Sequence, residues 1–178
     1  LIVTNSADTP LKGLHILLEA VAQIRKTRPI KLTVIGQPKK DGMIENLVKD
    51  LSLADVVHFT GRIANEEFAE YYAKSTIAVV PSLYEGFGIP AVEAMACGVP
   101  LIATTGGALP EVVGDAGLVV PAGDARALSG AIIRLLDSPD ERKKYAQAGL
   151  RRANTVFSWR RAAEQLTDVY REAIDGYR

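Results

Sequence analysis

Short apolar runs alternate with longer amphipathic stretches along most of the chain, and in the last third the strand-like runs stop. Residues 1–5 open as an apolar run, Leu1-Ile-Val, which ends in the polar cluster Asn5-Ser-Ala-Asp-Thr-Pro10. After Lys12-Gly13, the apolar residues Leu14, Leu17, Leu18, Val21 and Ile24 recur at three- and four-residue spacing. That spacing puts them on one face of a helix. Further short runs at 31–35, 56–60, 76–80, 101–104 and 117–121 are bounded by turn residues and read as strands. Between them, 41–51, 65–74, 90–96 and 109–113 read as helices, with Asn65 as an expected N-cap. Strands alternating with helices imply a parallel sheet buried on both faces, with ligands at the carboxyl ends of its strands. The expected fold is therefore α/β: a doubly wound, Rossmann-like parallel sheet of six strands flanked by helices. A helical C-terminal third follows, at 124–136, 139–156 and 159–177, with Asp124 and Ser158 as expected caps.

Composition narrows the partners. At 178 residues the chain has a one-domain length, enough to bury about 70% of its unfolded surface. Its 21 Lys and Arg balance 21 Asp and Glu, so the overall field gives no reason to expect nucleic acid or an acidic membrane as the main partner. An anion site would have to be local. A single cysteine, Cys97, excludes an internal disulfide and fits a reducing, cytoplasmic compartment; its position at a helix end suggests a small packed residue. No run of about 20 apolar residues predicts a membrane span and no leader is evident. The chain opens inside a strand without an initiator Met, which suggests a piece of a longer protein.

The stretch from Pro81 to Pro100, PSLYEGFGIPAVEAMACGVP, organises the rest. A strand stops at Pro81, Gly86 and Gly88 loosen the backbone, and Pro90 suits the first position of a helix because its missing amide hydrogen would have no partner there. Gly98 and Pro100 end that helix. Glu85 falls on the loop and Glu93 in the first turns of the helix. Between them, the amides of Gly88 and Ile89 and the positive end of the helix dipole could hold phosphate groups. A carboxylate beside a phosphate site makes sense when the ligand also carries hydroxyls, as a sugar diphosphate attached to a ribose does.

The run Glu85-Gly-Phe-Gly-Ile-Pro-Ala-Val-Glu93 resembles the E-x7-E signature of retaining glycosyltransferases of the GT4 type (group 1), and Ala94-Met-Ala-Cys-Gly-Val-Pro100 continues the likeness. Lys12-Gly13, Pro81-Ser82, Thr105-Gly-Gly107 and Phe157-Ser-Trp159 extend it over nearly the whole chain. The resemblance implies a GT-B fold whose C-terminal, donor-binding half is residues 1–178, the N-terminal acceptor domain lying outside the chain. It implies transfer of a sugar from a nucleoside diphosphate sugar to an acceptor, with retention of configuration. Glu85 would then hold the sugar and the charge developing at its anomeric carbon, Lys12 the leaving diphosphate, and Glu93 the ribose hydroxyls. Gly86, Phe87, Gly88 and Ile89 would form the substrate-binding loop, and Arg62 and Ile63 would face the nucleobase. Gly36 would mark a strand end near the nucleotide, with Gln37 where a second glycine is usual. No metal and no cofactor are expected, since the chain has no D-x-D pair and no His/Cys cluster at ligand spacing. Beyond the nucleotide sugar and the chain's own N-terminal domain, the resemblance leaves room for peripheral membrane association of the full-length enzyme.

Each residue also has a plainer reading. Alone, Glu85 is a solvated loop acid, Glu93 an acid favoured by the helix dipole, Lys12 an ordinary surface lysine and Arg62 a loop cation. Thr105-Gly-Gly107 fits a tight turn better than a ligand site, and His15 and His58 fit structural positions. Family members carry an arginine about five residues before the lysine, where this chain has Ala7. That leaves half the expected positive charge and keeps open a non-catalytic module that binds nucleotide sugars. Gly86-Phe-Gly-Ile-Pro-Ala91 also satisfies G-x-G-x-x-A, with Glu111 about twenty residues on. The rival it suggests, an NAD(P)-binding dehydrogenase domain, is disfavoured: the motif follows the fourth strand, Pro90 removes a donor, and Glu85 would face the pyrophosphate. Nucleobase, sugar and acceptor are not encoded in any of these motifs.

Overall fold

The computed structural model describes residues 1–4 and 8–177. Six strands form one parallel sheet: β1 (Ile2–Thr4), β2 (Leu32–Ile35), β3 (Val57–Phe59), β4 (Ala78–Val80), β5 (Leu101–Thr104) and β6 (Gly117–Val120), in the order β3-β2-β1-β4-β5-β6. Eight helices accompany them among the described residues: α1 (Leu14–Ile24), α2 (Met43–Asp50), α3 (Asn65–Ala73), α4 (Ile89–Ala96), α5 (Leu109–Val113), α6 (Ala125–Asp137), α7 (Pro139–Val156) and α8 (Trp159–Asp175). The strand order reverses between β1 and β4, and the crevice beyond the carboxyl ends of those strands is where such sheets bind ligands.

The two-residue period of the strands divides the interior into two cores. Val3, Leu32, Val34, Val79 and Ile102 face α1, α2 and α6. Their neighbours Ile2, Ile35, Ala78, Val80, Leu101 and Ala103 face the other way, onto Tyr72 of α3, Met95 of α4, Val112 of α5 and Ala153 of α7. Burial on both faces explains why these strands are continuously apolar. On α1, Leu14, Leu17, Leu18, Val21 and Ile24 are all buried, the stripe that their spacing predicts.

Several local expectations need correction. Helix α3 begins at Asn65, so the N-cap position is Ala64; having no side-chain oxygen, it is served by Glu67, whose carboxylate accepts from the Ala64 amide at 2.8 Å. Pro90 is the second residue of α4, after Ile89, with Gly88 at the N-cap in left-handed conformation. A 3₁₀ turn at Pro10–Lys12 precedes α1, whose N-cap is Gly13. Asp124 and Ser158 do cap α6 and α8, accepting from the amides of Ala127 (2.8 Å) and Arg161 (3.2 Å). Ser138 caps α7 in the same way, accepting from Glu141.

Helix α8 differs from everything before it. None of its residues is buried, and Trp159, Tyr170 and Ile174 are 91%, 60% and 62% exposed. Its apolar positions, Leu166, Val169, Tyr170, Ala173 and Ile174, nevertheless keep the spacing of a packed face.

Candidate functional site

The loops after β1 and β4 meet across the switch point, and glycines set how closely. Gly13 has φ +67°, and a Cβ there would overlap the carbonyl oxygen of Pro81, so only glycine lets the Lys12 turn lie against the end of β4. The amides of Leu83 (2.8 Å) and Tyr84 (3.4 Å) both donate to the Leu11 carbonyl and tie the two loops together. From the other side, a Cβ on Gly106 would overlap the Ser82 carbonyl and one on Gly107 the Glu85 carbonyl, which also accepts from the Ala108 amide at 2.9 Å. The Thr105-Gly-Gly107 turn is thus a structural brace, and what it braces is the loop carrying Glu85.

The result is an ion pair between residues 73 positions apart: Lys12 Nζ donates to Glu85 Oε1 at 2.6 Å. Ser82 Oγ donates to the same oxygen at 3.2 Å. The Glu85 side chain is only 10% exposed and that of Lys12 35%, so the carboxylate gives up most of its hydration and needs both donors. The three residues line a cleft of about 510 Å³ together with Ile35, Gly36, Gln37, Gly61, Arg62, Ile63, Phe68 and Pro90. Gly36 and Gly61 close its far wall through a bridge in which the Gly61 amide donates to the Gly36 carbonyl at 3.2 Å.

Of the residues expected from sequence, Lys12, Glu85, Arg62 and Ile63 line this cleft, whereas Gly86, Phe87, Gly88, Ile89 and Glu93 do not. Phe87 packs edge-on against Phe157, with ring centroids 5.7 Å apart. Gly88 is buried with φ +99°, and the exposed Ile89 follows it. Among the described residues, the amides of Gly88 and Ile89 donate to no protein group, as an anion site requires. Glu93 stands one turn along α4 from Pro90, which does line the cleft. Its carboxylate has no hydrogen bond or ion pair among the described residues, and burial pushes its pKa up.

Ala7 lies outside the described residues. Cys97 proves exposed, not packed, because it falls at the C-cap of α4; burial, then the charge of Glu93, push its thiol pKa up. His15 and His58 line no part of the cleft. The sequence assigned no site role to Ser82 or Phe68, which both line the cleft. Ser82 stood inside the central stretch, directly after the strand-ending proline, whereas nothing marked Phe68 out from a core position. Among the described residues, no group of three or more His, Cys, Asp or Glu side chains could hold a metal ion, and no helix is long and apolar enough to cross a membrane.

The sequence profile of the family described as glycosyl transferases group 1 matches residues 1–152. The chain belongs to that family. Among its curated relatives is an MMP alpha-(1->4)-mannosyltransferase of Mycolicibacterium hassiacum, 46% identical over 178 residues that cover 98% of this chain and 43% of that protein. A D-inositol 3-phosphate glycosyltransferase of Streptomyces coelicolor is 35% identical, covering 95% and 39%. In structure, this group 1 chain resembles the sucrose-phosphate synthase of Thermosynechococcus elongatus, with TM-score 0.86 and 35% identity over 98% of this chain and 45% of that one. It also resembles the C-terminal domain of a group 1 glycosyl transferase (LpcC) from Francisella tularensis, with TM-score 0.78 and 30% identity over 89% and 86%. The chain spans less than half the length of the curated relatives it matches. The G-x-G-x-x-A likeness to a dehydrogenase gains no support: the glycines follow β4 and lead into a helix with proline at its second position.

Proposed function

We propose that this chain is the C-terminal, donor-binding half of a two-domain retaining glycosyltransferase. The whole protein transfers a sugar from a nucleoside diphosphate sugar to an acceptor. The observation that carries this reading is the convergence of Lys12, Glu85, Arg62 and Ile63 on one cleft at the switch point of the sheet.

In this reading the base lies against the backbone at Arg62 and Ile63, and Glu93 accepts from the ribose hydroxyls, which explains a half-buried carboxylate without a hydrogen-bond partner among the described residues. The diphosphate lies between Lys12 and the amides of Gly88 and Ile89, and its charge is met by these donors without a metal or cofactor. Glu85 faces the sugar. As the bond from the anomeric carbon to the phosphate oxygen breaks, positive charge grows on that carbon and negative charge on the phosphate, and Glu85 and Lys12 stabilise one each. The acceptor oxygen bonds to the carbon on the same face, and its proton passes to the leaving phosphate. Binding both substrates in this geometry supplies much of the acceleration.

In this reading the acceptor and its domain lie outside the chain, as does the surface that covers α8, whose apolar face is exposed and whose three arginines stand against four acidic residues. The natural partner is the remainder of the same protein. A cytoplasmic enzyme fits the single cysteine and the nucleotide-sugar donor, and any peripheral membrane contact would belong to the rest of the protein.

Calorimetric titration with UDP, GDP, ADP and NAD, in wild type and Glu93→Ala, tests the reading. One nucleoside diphosphate is expected to bind, and to weaken about tenfold in the variant. Binding of NAD alone would overturn it. A non-catalytic module would bind the same ligand, and separates on sugar transfer by the full-length protein.

A further inference from the structure

We infer that Ser82 is a positioning residue for Glu85: it anchors Oε1 so that Oε2 is the oxygen offered to the sugar of the donor. The inference rests on the donor-site reading above and goes beyond it by assigning the two oxygens of one carboxylate to different tasks.

Three observations carry it. Lys12 and Ser82 both bond Oε1, at 2.6 and 3.2 Å, and no described residue bonds Oε2. Oε2 nonetheless keeps some contact with solvent, since among the described residues the one side-chain atom both sealed and unpartnered is His15 Nδ1. An acceptor that is reachable, unpaired and attached to a nearly buried side chain lining the cleft is placed to take a ligand hydroxyl. Finally, Ser82 is itself immobilised. It is 2% exposed, its carbonyl accepts from the buried Thr104 hydroxyl, and Gly106 packs against its backbone.

The two anchors of Oε1 differ in what donor binding does to them. Lys12 is a cation on a long, one-third exposed side chain, and a diphosphate in the same cleft competes with Glu85 for its ammonium group. Ser82 has no such rival. Its hydroxyl is short, nearly buried and neutral, so it retains Oε1 while Lys12 turns to the phosphates, and the direction of Oε2 survives the exchange. A carboxylate held by Lys12 alone would lose its orientation at the moment the donor arrives.

The test is a double-mutant cycle in the full-length protein, using Ser82→Ala, Glu85→Ala and the pair, titrated with UDP, GDP, UDP-glucose and GDP-mannose. Ser82→Ala should weaken the nucleotide sugar that binds by about tenfold, as expected for a lost hydrogen bond to a charged group, and change its nucleoside diphosphate less than about twofold. On the Glu85→Ala background it should add nothing. Ser82→Cys, close in size and a weak donor, should follow Ser82→Ala and supplies the comparison if alanine prevents folding. Equal weakening of both ligand classes, or the same loss on the Glu85→Ala background, would overturn the role of Ser82. If wild type binds neither class, the donor-site reading itself fails and takes this inference with it.

Discussion

Glu85 and Glu93 lie eight positions apart in one uninterrupted motif, yet the loop and the helix that carry them treat a carboxylate in opposite ways. The loop provides Glu85 with a cation and a hydroxyl and excludes most water. Helix α4 half-buries Glu93 and provides no partner among the described residues, so burial raises its pKa. Glu85 is thus held in place before any ligand arrives, whereas Glu93 carries a desolvation cost that a ligand with paired hydroxyls would offset. The difference teaches that one motif can combine a preorganised group with a destabilised one, as binding sites often do.

The largest effect should come from dislodging the Glu85 loop. Gly107→Val combines a left-handed φ of +61° with a Cβ that overlaps the Glu85 carbonyl, and should cost about 3 kcal/mol in urea denaturation. Gly98→Ala, at the end of α4, has a similar φ of +65° and open space around its Cβ, and should cost only about 1 kcal/mol. Equal losses would show that close packing does not hold the loop.

Within the ion pair, Lys12→Met should destabilise by about 2 kcal/mol, because among the described residues it leaves a nearly buried carboxylate with Ser82 as its side-chain donor. Glu85→Gln should cost about 1 kcal/mol or less, since the amine it abandons can reach water. Thermal melts of the two variants that ranked the other way would break the assignment of Glu85 as the desolvated partner.

Glu93→Gln should act with the opposite sign. Because burial raises the folded pKa, the stabilising contribution of Glu93 is fully present below its unfolded pKa and is lost as pH rises through the folded value. The glutamine variant escapes that loss, so it should melt slightly higher than wild type at pH 7, and the gain should vanish below about pH 4. Its affinity for the nucleoside diphosphate should fall several-fold. A lower melting point at pH 7 would show that Glu93 has a stabilising partner.

The smallest change sharpens the Lys12 side. Ala7→Arg introduces the second cation that the family resemblance implies, and should tighten nucleoside diphosphate binding by a few-fold, with the gain shrinking in high salt.

Much of the fold was legible because each strand and helix advertises itself through residues close in sequence. The period of α1, the short apolar runs and the caps at Asp124 and Ser158 are local signals, and the helices at Leu109–Val113 and Pro139–Val156 lie where those signals put them. Boundaries shifted where backbone geometry outweighed residue preference, as at Asn65 and Pro90. At the site, the family resemblance pointed to Glu85, Lys12, Arg62 and Ile63. The importance of Ser82 could not be read in the same way, because a serine after a strand end has many uses until its neighbours are known. The brace formed by Gly106 and Gly107 was likewise hidden: a tight turn is a local property, but what it presses against is not.

By itself, then, the sequence determined the alternation of strands and helices, the buried faces and the family, since these follow from hydrophobic period, turn chemistry and motif spacing within short windows. Only the tertiary structure decided that Lys12 pairs with Glu85 across 73 residues, that Ser82 shares the same oxygen, and that the apolar stripe of α8 lies uncovered within this chain. The physical reason is the range of the interactions. Helical and strand preferences act between neighbours, whereas an ion pair, a close glycine contact or a buried face depends on which distant segment folding brings alongside.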